Sequence, residues 1–125
     1  MTGRVILAAV GLGILCRAAG AADWPQWRGP QRTGVSQETG LLKSWPQGGP
    51  KLLWRVSGAG GGYSTPAVVG NWLFTLGNEG NDNEFVQARA VGDGKVAWTT
   101  RIGRVGNPDQ QPSYPGCRST VTVEG

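Results

Sequence analysis

A tryptophan-centred stretch recurs in this chain, and that recurrence limits the fold more than any other feature. Trp54 lies in Leu52-Leu-Trp-Arg-Val56 and returns as Trp98 in Val96-Ala-Trp-Thr-Thr100. Ser64-Thr-Pro-Ala-Val-Val-Gly70 returns in the same order as Ser119-Thr-Val-Thr-Val-Glu-Gly125. The second interval is the longer by eleven, and the whole excess sits in one connection, since Trp98 to Ser119 exceeds Trp54 to Ser64 by that amount. A constant unit with one enlarged loop has the period of a β-propeller blade, about 40–45 residues and four strands. A small antiparallel sandwich with accidental similarity is the competing architecture.

Between those landmarks the chain reads as strands. Thr65-Pro-Ala-Val-Val69 and Trp72-Leu-Phe-Thr-Leu76 flank Gly70-Asn71, a two-residue turn of the kind that needs positive φ. Glu84-Phe-Val-Gln-Ala-Arg-Ala90 runs through Gly92-Asp-Gly94 into Lys95-Val-Ala-Trp-Thr-Thr-Arg101. The period of two places Val96, Trp98, Thr100 and Ile102 on one face. The expectation is an all-β chain with a four-stranded antiparallel meander over about residues 65–101. In this register Leu52–Val56 is the outer strand of a preceding blade and Ser119–Gly125 opens a third. A closed propeller takes about four to eight blades, so the chain is expected to be the N-terminal part of a larger propeller.

The first residues differ from the rest. Arg4 precedes an apolar run from Val5 to Leu15, and Ala18-Ala-Gly-Ala-Ala22 follows. This is the order of a secretory signal peptide over residues 1–21, with Ala19-Gly20-Ala21 as the cleavage motif. The run from Val5 to Leu15 is too short for a membrane-spanning helix, which needs about 20 residues. No transmembrane anchor is therefore expected after cleavage, and the protein is expected to be exported to the periplasm or beyond. Cys16 raises a lipoprotein signal, but Leu15 stands where that motif wants a small residue.

Removing the leader changes the charge argument. Arg4 and Arg17 leave with it, so Lys plus Arg falls from 12 to 10 against 8 acids, a net of +2. No Lys/Arg cluster remains, and nucleic acid is not an expected partner. Cys117 becomes the one mature cysteine, which rules out an internal disulfide. The sequence contains no histidine, removing the commonest general base and most zinc sites.

Residues 22–50 form a strap in this reading, with Asp23-Trp-Pro-Gln-Trp-Arg-Gly-Pro30 at its head. Trp24 and Trp27 could offer a platform to a sugar or quinone. Packing against the body of the protein is favoured, with Pro25 and Pro30 holding the segment extended and Arg28 able to stack on an indole. Gly58–Gly62 lacks the spacing and lysine of a phosphate loop and is read as a flexible connection between blades. Asn78–Glu84 carries oxygen donors but not in the order of a calcium loop, and such runs also serve hairpins. No metal ligand set is assigned. The long connection Gly103–Ser119 is the preferred binding loop, with Asn107, Asp109, Tyr114 and Arg118 as its candidate contacts and Gln110 beside them. Cys117 within it is read as a small buried residue rather than a nucleophile.

Ala88-Arg-Ala-Val-Gly-Asp-Gly-Lys-Val-Ala-Trp98 resembles the tryptophan-docking repeat, A-x-D-x-x-T-G-K-x-x-W, of quinoprotein-type propellers. Ala88, Gly94, Lys95 and Trp98 match, while Ala90 and Asp93 stand where the repeat has Asp and Thr. The opening DWPQWRGPQRTGVS, with LLKSWP and GPKLLWRV after it, is similar to the start of secreted PQQ-binding-like β-propeller repeat proteins, some labelled polyvinyl-alcohol dehydrogenase. The resemblance covers nearly all of the mature chain, residues 51–125 corresponding to the repeats. It implies blade docking through Trp54, Gly94 and Trp98. It also implies two functions, a binding or assembly scaffold that takes a protein or glycan on the propeller face, or a quinone-dependent alcohol dehydrogenase. In the latter, pyrroloquinoline quinone and calcium would sit at an axis completed by blades beyond this sequence. The adjacent-cysteine pair of many such enzymes is missing here, and no acidic residue matches a metal ligand or base, so no catalytic residue is assigned.

Overall fold

The computed structural model describes residues 21–105 and 116–124. Four strands form one antiparallel sheet in the order β1-β2-β3-β4: β1 Ala67–Val69, β2 Trp72–Glu79, β3 Asn83–Ala90 and β4 Val96–Gly103. The expected meander is present, and no helix occurs among the described residues. The chain is all-β. Leu52–Val56 and Ser119–Glu124 are irregular rather than strands, although Trp54 still finds its place against the sheet.

The turns follow from the residues that make them. Gly70 has φ +55° and Asn71 is not left-handed, so only the first central residue of the β1–β2 turn needs glycine's freedom. In the β3–β4 turn Gly94 has φ +73° and donates its N–H to the Ala90 carbonyl at 2.8 Å. Asp93 accepts the Lys95 backbone N–H at 3.0 Å. The β1–β2 and β3–β4 turns are joined by Val91 N–H donating to the Asn71 carbonyl at 2.9 Å.

Register divides the sheet into two unlike faces. On one, Ala67, Phe74, Ala88 and Trp98 stand in a row across all four strands. Ala88 is 1% exposed, and its single methyl leaves room for the Phe74 and Trp98 rings to meet at 6.1 Å, tilted by 51°. Such a pair adds about 0.5–1.5 kcal/mol beyond its area. The opposite face carries Phe85, Gln87 and Arg89, all buried.

Strict alternation along β4 is interrupted at both ends. Register shifts bring Val96 opposite Arg89 and Gly103 opposite Glu84, so Ala97 and Ile102 are extra residues at bulges. Trp98 and Thr100 keep the expected face, in line with Ala88 and Val86. Val96 and Ile102 do not continue their row, because a bulge breaks the period of two. β4 ends the sheet and is exposed along nearly its whole length.

Candidate functional site

The Phe85–Arg89 face is covered by the segment that follows Trp54. Arg89 is the organising side chain and is 5% exposed. Its Nε and one terminal nitrogen donate to Gln87 Oε1 at 3.2 and 2.9 Å. The same nitrogen reaches the carbonyls of Ser57 and Gly58, both at 3.1 Å, and the other donates to the Gly94 carbonyl at 3.0 Å. A guanidinium can serve three backbone carbonyls at once because its donors form a planar fork. Arg89 thus ties the incoming segment to the β3–β4 turn.

Trp54 binds that same turn from outside. Its Nε1–H donates to the Val91 carbonyl at 2.8 Å. A Cβ at Gly94 would lie 2.8 Å from the indole and 2.8 Å from a Val56 methyl. Only glycine allows both the left-handed backbone and this approach. The structure therefore brings together Trp54 and Gly94, two of the three residues expected to dock blades. Trp98 lies elsewhere, on the Phe74 face, 45% exposed.

Further along, the glycine-rich connection lies flat on the sheet. Gly61 pairs with Asn78 of β2 through both backbone bonds, at 2.9 and 3.1 Å, continuing the pairing where β1 has ended. A Cβ at Gly60 would strike the Asn78 nitrogen at 2.7 Å and the Phe85 ring at 2.8 Å. The run Gly58–Gly62 is thus a fitted strip on the sheet, not a flexible connection.

The strip ends at Cys117, which is 2% exposed. Its thiol lies 3.1 Å from the Leu76 carbonyl, and the Ser64 hydroxyl donates to it at 3.3 Å. Its N–H donates to Asn78 Oδ1 at 3.2 Å, and its carbonyl accepts from Tyr63 N–H at 2.8 Å. A Cβ at Gly62 would collide with the sulfur. The expectation of a small buried cysteine agrees with this environment. Among the described residues no base stands beside the thiol.

The strap is only partly covered. Trp24 exchanges backbone bonds with Val68 at 2.7 and 2.9 Å, adding a bridge to the edge of β1. Asp23 accepts the Gly70 N–H at 2.7 Å, and Pro25 accepts Val123 N–H at 2.9 Å. Past Pro25 the segment is not extended. Gln26 to Gly34 folds into successive turns with Arg28, Gly29, Arg32 and Gly34 all at positive φ. Trp27 is 58% exposed with Arg28 over its ring at 5.3 Å, so the body of the protein hides Trp24 better than Trp27.

Of the preferred binding loop, Asn107, Asp109, Gln110 and Tyr114 lie outside the described residues. Arg118 is exposed beside Cys117. In the Asn78–Glu84 stretch, Asp82 is paired with Arg104 at 2.8 Å, and its carbonyl accepts from Arg101 at 2.7 Å. Among the described residues no group of three or more His, Cys, Asp or Glu is placed to hold a metal ion. No helix among them is long and apolar enough to cross a membrane. The chain matches no family model, no curated protein and no solved structure.

Gln87, Arg89, Ser64 and Asn78 are the residues that sequence reading missed. Arg89 carried one usable signal, an arginine inside an apolar alternating strand, where a charge is retained only with partners.

Proposed function

We propose that this chain is the exported N-terminal part of a PQQ-like β-propeller repeat protein that acts as a scaffold, presenting a propeller face to a protein or glycan. The Trp54–Gly94 contact is the observation that carries this reading. Trp54 belongs to the segment before the sheet, and its indole is spent on the turn that opens the next tryptophan strand. Trp98 occupies the same place in its own segment, one repeat later. A repeat laid against the Phe74–Trp98 face would receive Trp98 as this sheet receives Trp54. The half-exposed Trp72 and Trp98 and the open edge of β4 are the surfaces such a neighbour would cover.

The dehydrogenase reading requires a calcium and quinone site. The described residues supply no fitting donor set, and no reaction step is assigned to them. The test uses the full-length exported protein with pyrroloquinoline quinone and calcium, read by cofactor absorbance and alcohol-dependent dye reduction. No spectral change and no reduction are expected. A stoichiometric absorbance change with dye reduction would replace the scaffold by the enzyme.

A further inference from the structure

Ala22 holds its backbone nitrogen 2.8 Å from Glu38 Oε1, a carboxylate well down the strap. Its position coincides with the end of the small-residue motif Ala19-Gly20-Ala21. As a peptide, that nitrogen is one neutral donor. As a new N-terminus it would carry three protons and a positive charge, facing a carboxylate already at contact distance.

The residues after Ala22 fix its place. Asp23 is bound to Gly70, Trp24 to Val68 and Pro25 to Val123. Val68 and Val123 hold the same position in the two Ser-Thr segments, so the head of the strap bonds equivalent points of two repeats. The Asp23 carboxylate is engaged with the Gly70 N–H. Glu38 is set in turn by its own N–H donating to Ser36 Oγ at 3.2 Å. Ala21 and Ala22 are exposed, as a peptidase requires.

We propose that the Ala21–Ala22 bond is a processing site and that Glu38 is the built-in receptor for the ammonium released there. The inference rests on the export reading. A signal-type peptidase supplies the catalysis and water the second reactant, leaving a carboxylate on Ala21 and an ammonium on Ala22. Processing then completes the strap rather than merely trimming a leader.

The test produces the full chain in an exporting bacterial host and measures the intact mass of the exported product. A chain beginning at Ala22 is expected. Failure of the chain to leave the cytoplasm would overturn the export reading, and an exported chain that keeps its leader or starts at another residue would overturn the site. The processed protein and its Glu38→Gln variant are then treated with an amine-reactive acyl label at neutral pH, and the Ala22 peptide is quantified by mass. Pairing holds the amine protonated, so labelling should be about twofold to fivefold faster in the variant, the range of an exposed ion pair. High salt should speed labelling of the unsubstituted protein towards the variant's rate. Equal rates in both proteins, with no salt effect, would overturn the pairing while leaving the processing site intact.

Discussion

The indole of Trp54 and the backbone of Gly94 are in direct contact, although β1, β2 and β3 lie between them along the chain. The Nε1–H on the Val91 carbonyl closes the arrangement. Two substitutions separate its parts. Trp54→Phe keeps a ring and removes the hydrogen bond, with an expected cost of about 0.5–1.5 kcal/mol. Gly94→Ala inserts a methyl into the indole and strains a left-handed backbone, with an expected cost of about 1–3 kcal/mol. Urea unfolding followed by circular dichroism measures both. A Gly94→Ala midpoint equal to the unsubstituted protein's would show that the ring does not rest there in solution.

Arg89 is buried without an acidic partner among the hydrogen bonds it makes, and its work is done on carbonyls. Arg89→Lys keeps the charge but cannot span Ser57, Gly58, Gly94 and Gln87 with one planar group. Loss of about 2–3 kcal/mol is expected in the same unfolding measurement. Amide exchange should quicken in Gly58–Gly61 before it does in the centre of β3, because the clamp fails first where it grips the incoming segment.

These two sites mark how far sequence reading reached. The meander was legible because β-branched and aromatic runs alternate with Gly-Asn and Gly-Asp-Gly turns, whose geometry follows from single residues. Trp54 and Trp98 stood out by their spacing and Gly94 by the resemblance to the docking repeat, and the structure joins Trp54 to Gly94 while Trp98 lies on Phe74. The fit of Gly58–Gly62 was not legible, because a glycine-rich run has no intrinsic conformation and takes the shape of what it lies on, here Gly77, Asn78 and Phe85. The β4 bulges were equally hidden, since one unpaired residue leaves no mark in an alternating pattern. Turns at Arg28 and Arg32 use a backbone region that arginine seldom enters, so the prolines nearby pointed to an extended strap instead.

Cys117 is predicted to resist Ellman's reagent in the folded protein and to react at the unfolding rate when denaturant is added. The thiol sits between the Leu76 carbonyl and Ser64, with Gly62 against the sulfur. Immediate stoichiometric reaction under native conditions would show that the segment around Cys117 does not hold its position beside β2. Gly62→Ala should release the thiol, because its added Cβ and the Cys117 sulfur cannot share that space.

Asp93 provides a local titration test of the β3–β4 turn. The Lys95 backbone N–H, and after it the Lys95 ammonium at 3.0 Å, hold the Asp93 carboxyl below its ordinary range. A depressed folded value means the contribution is present above the unfolded pKa and is lost as pH falls through the folded one. Lys95→Ala removes the ammonium and keeps the backbone donor, so the carboxyl should rise only part of the way to its ordinary value. Carbon-detected NMR of the Asp93 carboxyl reads this directly. Full return to the ordinary value would assign the effect to the side chain and remove the backbone bond from the turn.

Trp98 and Trp54 should differ in this chain and converge in a longer one. Trp98 is 45% exposed and its ring partner is Phe74, so Trp98→Ala is expected to cost about 1–2 kcal/mol, the aromatic pair plus partial burial. Trp54→Ala loses the ring contact with Gly94 and leaves the Val91 carbonyl without its donor, for about 2–4 kcal/mol. In a protein that carries the next repeat, Trp98 would gain its own glycine and carbonyl, and its substitution should become as costly as that of Trp54. Paired denaturation of both variants in this chain and in the longer protein measures the change. If the Trp98 cost stayed small beside an intact following sheet, the docking relationship would not propagate and the scaffold reading would lose its repeat.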